Sequence, residues 1–266
     1  MTTRRLATLG LALFACTTLA LAGCGKSAST AGSSAGTATS ASPSPTGKPA
    51  KDVVLAAIAG LKQTSYKYTI ESHGLTGNGV ADPVAKKATL SMKGTQSGMS
   101  LSIDMVVINP DTWLKMLFGS ENASLGLPTK YMHVNVSKVT GGGLGIDPDA
   151  SDPGRVQELL KVVGDVQRVD AQNYKITLDI TGVSAAALDS DTVKKMGDKA
   201  KAVPATVTVD SQGHLTAFTV SLAALAPDEG DVKATYSDFG TPVAVKPPAK
   251  SDTVEAPASL YGFLNQ

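Results

Sequence analysis

From residue 52 onward, apolar and polar positions recur first at helical and then at strand spacing. Val54, Leu55, Ile58 and Leu61 fall on one helical face, with Asp52 placed to cap the free amides at its start. In Tyr66-Lys67-Tyr68-Thr69-Ile70-Glu71 the period drops to two, the signature of a half-buried strand. Residues 74–79, with three glycines, read as a turn. Leu90 and Met92 mark a second strand. Leu101, Ile103, Met105 and Val107 share one face of a third, with Ser100, Ser102 and Asp104 opposite. Asn109-Pro110-Asp111 then turns the chain into Thr112-Trp113-Leu114-Lys115-Met116.

Residues 117–128 lack periodicity yet carry Leu117, Phe118, Leu125 and Leu127, so this loop is expected to pack over the core. Met132, Val134 and Val136 alternate as the next strand. Asp152-Pro153 opens a second helix striped by Val156, Leu159, Leu160 and Val163 and ended by Gly164. Tyr174, Ile176, Leu178 and Ile180 alternate with Lys175, Thr177 and Asp179, the cleanest strand in the chain. A weakly amphipathic third helix is expected over 184–201. Val207 and Val209 lead through Asp210-Ser211-Gln212-Gly213, a hairpin turn, into a strand over 215–222. Strands over 232–239 and 243–245 follow. Leu260, Tyr261, Phe263 and Leu264 give the last residues a means of docking.

Neighbouring strands joined by short turns must pair antiparallel, since parallel crossovers would need a helix between most of them. The predicted class is therefore α+β, a large antiparallel sheet with helices on one face.

The first residues follow other rules. Arg4 and Arg5 precede an apolar run over 6–22, which ends in Leu21-Ala22-Gly23-Cys24. A charged start, a short apolar run and small residues at the cut make a secretory signal. Its last four residues resemble the lipobox of bacterial lipoproteins. That implies cleavage before Cys24 and a diacylglyceryl group on its sulfur. The flanks of the arginine pair, Thr3 and Leu6, suit the general export route better than the twin-arginine one. Residues 25–50 are almost entirely Ser, Thr, Ala, Gly and Pro, a composition that offers no apolar face and reads as a tether. The expected organisation is a signal over 1–23, lipidated cysteine and tether over 24–50, a folded domain over 51–248 and a tail over 249–266.

Charge and cysteine content narrow the partners. Losing Arg4 and Arg5 leaves 22 basic against 23 acidic residues, a near-neutral protein without the basic face a nucleic-acid partner needs. Cys16 and Cys24 are the two cysteines, so the mature chain is expected to stand without a disulfide.

A longer pattern emerges in order along the chain. It comprises the lipobox, the tether, an opening helix before Tyr66-Lys67-Tyr68, the run Tyr174-Lys175-Ile176-Thr177-Leu178-Asp179-Ile180-Thr181, the run from Val203-Pro204-Ala205 to Gly213-His214-Leu215, and Tyr236-Ser237-Asp238-Phe239-Gly240-Thr241-Pro242-Val243. Together these resemble actinobacterial lipoproteins related to the mycobacterial LppX and LprG family. The resemblance covers about residues 51–248. It implies a half-barrel sheet with helices on its concave side, as in the periplasmic carrier LolA, and acylated lipid bound between the layers. It supplies no catalytic motif.

The residues themselves support the same expectation. The apolar strand faces of Leu101, Ile103, Met105, Ile176, Leu178, Val207 and Val209 need covering, the helical stripes are narrow, and aromatics make up only 5% of the chain. These residues and Trp113 are the candidate cavity lining; Cys24 is the lipidation site. An acyl chain in such a space would gain about 0.8 kcal/mol per buried methylene. The competing expectation is a filled core and an envelope interaction module.

Chemistry has little support. His73, His133 and His214 lack partners at ligand spacing, so no metal or other cofactor is expected. Gly94-Thr95-Gln96-Ser97-Gly98 sets its first glycine one residue too far for a nucleophile elbow. Gly141-Gly142-Gly143 has no phosphate-loop lysine, and Asp147, Asp149 and Asp152 lack the glycine and glutamate of a calcium loop. Glu71, Asp104, Asp179 and Asp210 sit on polar strand faces. The sequence reading is a monomeric, non-enzymatic lipoprotein held by Cys24 on the extracytoplasmic face of the membrane.

Overall fold

The computed structural model describes residues 48–72, 74–96, 98–139, 156–182, 190–223, 225 and 230–265. The signal, Cys24, most of the tether, His73, Ser97, the triple glycine and the aspartates at 147, 149 and 152 lie outside them.

Residues Thr46–Gln266 form one compact unit. Twelve strands make a single curved, open α+β sheet: β1 Tyr66–Ser72, β2 Leu75–Asp82, β3 Lys87–Gln96, β4 Met99–Ile108, β5 Asp111–Leu117, β6 Tyr131–Val134, β7 Val163–Arg168, β8 Asn173–Leu178, β9 Val203–Val209, β10 Leu215–Val220, β11 Val232–Ser237 and β12 Thr253–Glu255. Their spatial order is β12-β6-β5-β4-β3-β2-β1-β11-β10-β9-β8-β7. Every pair is antiparallel except β12 with β6. Among the described residues four α-helices accompany it: α1 Ala50–Gly60, α2 Val156–Val162, α3 Ser190–Met196 and α4 Ala258–Leu264.

Register turns the alternating pattern into rows of side chains, because residues opposite each other in an antiparallel pair share a face. One row runs Tyr174, Val207, Phe218, Ala234, Ile70, Gly77, Met92, Ile103, Met116 from β8 to β5. The next runs Tyr236, Tyr68, Gly79, Leu90, Met105, Leu114, Met132 from β11 to β6. Both rows are large at their flanks and small in the middle. Helix α1 covers the flank formed by β7, β9 and β10 and also meets α2. Its Val54 and Ile58 are fully buried.

Several predicted elements are corrected. Gly77 and Gly79 lie inside β2, which starts at Leu75, so of the predicted turn over 74–79 only Gly74 stays outside the strand. Helix α1 starts before Asp52: Pro49 is its N-cap, no side chain caps it, and Asp52 stands in its first turn, where a carboxylate favours the positive helix end. Gly164 ends no helix. The chain passes from α2 straight into β7, and a register shift between Val163 and Val166 absorbs the change. Within that irregular stretch the Asp165 amide donates to Thr177 Oγ1 at 2.9 Å. Val136 leaves the strand for a 3-10 turn, Val136–Lys138, tied by Asn135, whose side chain accepts from the Ser137 amide. Residues 243–245 form no strand; the last strand is β12 instead. Of the third predicted helix, Ser190–Met196 is α-helical and Gly197–Lys201 is 3-10, while 183–189 lie outside the described residues.

Candidate functional site

Among the described residues, the apolar face of the sheet gathers the candidate lining except Trp113. Leu101, Ile103, Met105, Ile176, Leu178, Val207 and Val209 all face it and are buried in one core. Trp113 occupies the other face of β5: Thr112, Leu114 and Met116 are buried and Trp113 alternates with them. Its indole stacks on His133, ring centroids 5.5 Å apart.

The middle of the face is different. Tyr68, Leu75, Leu90, Met92, Val232 and Tyr236 pack against the core yet stay half-buried. They surround Gly77, Gly79 and Ala234, where the sheet presents almost no side chain. Tyr68 leans over Gly79 and donates its hydroxyl to the Thr89 carbonyl at 2.8 Å. Burial pushes the Tyr68 phenol well above its ordinary value, with Tyr236 adding to the rise. Burial also takes the Tyr236 phenol up to about 12. Both therefore stay neutral in any physiological medium and are hydrogen-bonding groups on an apolar surface.

Sequence reading missed this patch. The glycines of β2 resemble turn residues, and only the register shows that they lie between Ile70 or Tyr68 on one side and Met92 or Leu90 on the other. The alternation of Tyr66, Tyr68 and Ile70 was the available signal. Tyr66 joins Tyr68, Tyr236 and Phe239 in an aromatic cluster with centroid separations of 6.1, 5.7 and 6.3 Å.

The loop over 118–127 packs down through buried Phe118 and Leu127. Buried Asn122 organises it, accepting from the Phe118 amide and donating to the Met116 carbonyl at 2.6 Å. The C-terminal residues close the far side, where Leu260 and Leu264 enter the same core as Met116 and Met132.

Among the described residues, shallow grooves of 390 and 330 Å³ lie on the polar face and share Thr69 and Asn78. Their hydroxyls already pair within the sheet, as Thr69 does with Thr235 at 2.6 Å. The acidic candidates are likewise committed locally. Asp104 accepts from Ser91 Oγ at 2.7 Å, and Glu71 stands opposite Thr76 and Lys233. The side chain and amide of Thr181 hold Asp179 below the usual carboxylate range. Burial would raise Asp210, but the amides of His214 and Gln212 and the His214 ring outweigh it and lower it. Among the described residues no three His, Cys, Asp or Glu side chains are grouped to hold a metal ion, and no helix is long and apolar enough to cross a membrane.

Neither the protein-family models nor the curated proteins contain a match to this chain.

Proposed function

We propose that the chain is an extracytoplasmic lipoprotein, anchored through Cys24, that binds acylated lipid on the apolar face of its sheet, in a LolA-like half-barrel of the LppX and LprG type. One observation carries the reading. The middle of that face, from Tyr236 and Val232 to Leu90 and Met92, is apolar and half-buried, over a small floor of half-buried Gly79 and buried Gly77. Methylenes laid there would be withdrawn from water at about 0.8 kcal/mol each, less the cost of immobilising the chain. The neutral hydroxyl of Tyr236 suits the ester neck of a lipid rather than a charged headgroup, the Tyr68 proton being already given to the Thr89 carbonyl. The lipid is the cargo, the membrane the partner, and no catalytic residue is assigned.

The test is native mass spectrometry of detergent-extracted protein with added diacyl or triacyl lipid, comparing the parent with Gly77→Leu. A leucine there meets Leu90 and Met92 side chains at 3.4–3.5 Å from its first carbon and would fill the floor. The parent is expected to retain lipid and the variant to lose at least about tenfold in occupancy, a difference of about 1.4 kcal/mol. A parent that never carries lipid would leave the interaction-module reading, which draws on the complete burial of Leu114, Met116 and Met132.

The anchor is tested separately. Cys24→Ala is expected to abolish incorporation of labelled fatty acid, and equal labelling of variant and parent would remove the anchor from the proposal.

A further inference from the structure

His133 sits on the outer face of β6 between two carboxylates from different elements. Nε2 lies 2.9 Å from Asp111 Oδ1 on β5, and Nδ1 lies 3.3 Å from Glu255 Oε1 on β12. Trp113 stacks against the ring and fixes its plane. A neutral imidazole has one N–H and can donate to one of these oxygens, whereas an imidazolium donates to both. The three-element clamp is complete only in the protonated state.

What the clamp holds is the C-terminal strap. Strand β12 pairs with β6 for three residues, and the Ala256 amide donates to the His133 carbonyl at 3.1 Å. Val254, Ala256 and Tyr261 also pack against the core, and the side-chain hydrogen bonds that tie the strap down are exposed. Lys130 Nζ donates to Ser251 O, Ser259 Oγ to Gly126 O, the Asn135 amide to the Tyr261 hydroxyl and Asn265 Nδ2 to Lys138 O. Leu260 and Leu264 are the buried anchors.

We propose that His133 is a proton-operated latch: protonation fastens the strap to the sheet edge, and deprotonation lets it open and expose the core beside Met116 and Met132.

The charged groups facing the ring are Asp111 and Glu255; along the same face Lys115 lies over the Tyr131 ring, with Asp104 and Asp252 acting on that tyrosine. The Asp111 hydrogen bond raises the His133 pKa above its ordinary 6.5, burial opposes this, and Glu255 adds to the rise. A raised folded value means that the stabilisation is fully present below about pH 6.5 and is lost as pH rises through the folded value.

The experiment is hydrogen exchange of the full chain in detergent between about pH 5.5 and 8.5, corrected for intrinsic exchange. It compares the parent with His133→Gln, which does not titrate, and with Glu255→Gln, which keeps the strand but removes one charge. Opening of residues 253–264 in the parent is expected to increase about three- to tenfold across the range. In His133→Gln the profile should be flat, and in Glu255→Gln reduced. The same pH response in parent and His133→Gln, or a flat profile in the parent, would overturn the latch. Lipid binding enters neither readout, so the result stands apart from the proposed cargo.

Discussion

Gly79→Ala is expected to cost about 2–4 kcal/mol, lowering the melting temperature by roughly 4–16 °C for a domain of this size. A Cβ there would lie 2.0 Å from the Thr89 carbonyl oxygen and 2.6 Å from the Tyr68 hydroxyl. The first is backbone in a sheet interior and cannot yield without breaking the β2–β3 ladder. The second is the donor of the Tyr68–Thr89 bond, so the clash also removes that hydrogen bond. Gly77→Ala is the control, since its nearest neighbours are side-chain carbons at 3.4–3.5 Å and can adjust. Thermal melts of both variants decide the matter. Equal losses would point to strand propensity, which penalises both glycines alike in the parent, and not to the close approach of Tyr68.

Asn122→Ala is expected to cost a further class of interaction, about 2–4 kcal/mol. The amide bridges Phe118 N–H and Met116 C=O from the underside of a loop whose Phe118, Asn122 and Leu127 are buried while its other residues are exposed, so truncation removes both bonds and leaves a hole where water reaches poorly. The loop carries Phe118 and Leu127 into the core, and loosening it should raise proteolytic cleavage within 118–127 before global unfolding. Limited proteolysis with a denaturation curve reads both effects. A variant as stable and as resistant as the parent would show that packing alone holds the loop.

The α+β class and the large antiparallel sheet were legible because period-two alternation is strong in β4, β5, β8 and β9, and seven of the eight candidate lining residues follow it onto the apolar face. Trp113 follows it too, onto the other face, as its neighbours Leu114 and Met116 already dictated. What stayed hidden was long-range. Gly77 and Gly79 carry no local strand signal and are strand residues because Tyr68 and Thr89 close around them. Residues 253–255 are too few to show a period, and β12 exists through its pairing with β6. Asn122 reads as an ordinary loop polar residue until its burial is known. The half-exposed patch has no sequence signature, because it arises from the small centre of rows assembled from distant strands.

Strand order also sets how the sheet must come together. Strands β1 to β6 form one meander and β7 to β11 another, each built on pairing between chain neighbours, and β12 returns to the outer edge of β6. They meet along a single line, β1 against β11, whose partners Lys67 and Ser237 are separated by most of the domain. Each meander can zip through local turns, but this junction must search for its register with the loop-closure entropy of the intervening chain still to be overcome. The second meander therefore docks last, and until then β1 presents an unpaired edge bearing Tyr66, Tyr68 and Ile70. The line that completes the fold passes through the tyrosine pair at the centre of the apolar patch, so the patch does not exist in either half alone and comes into being at the moment the two meanders join.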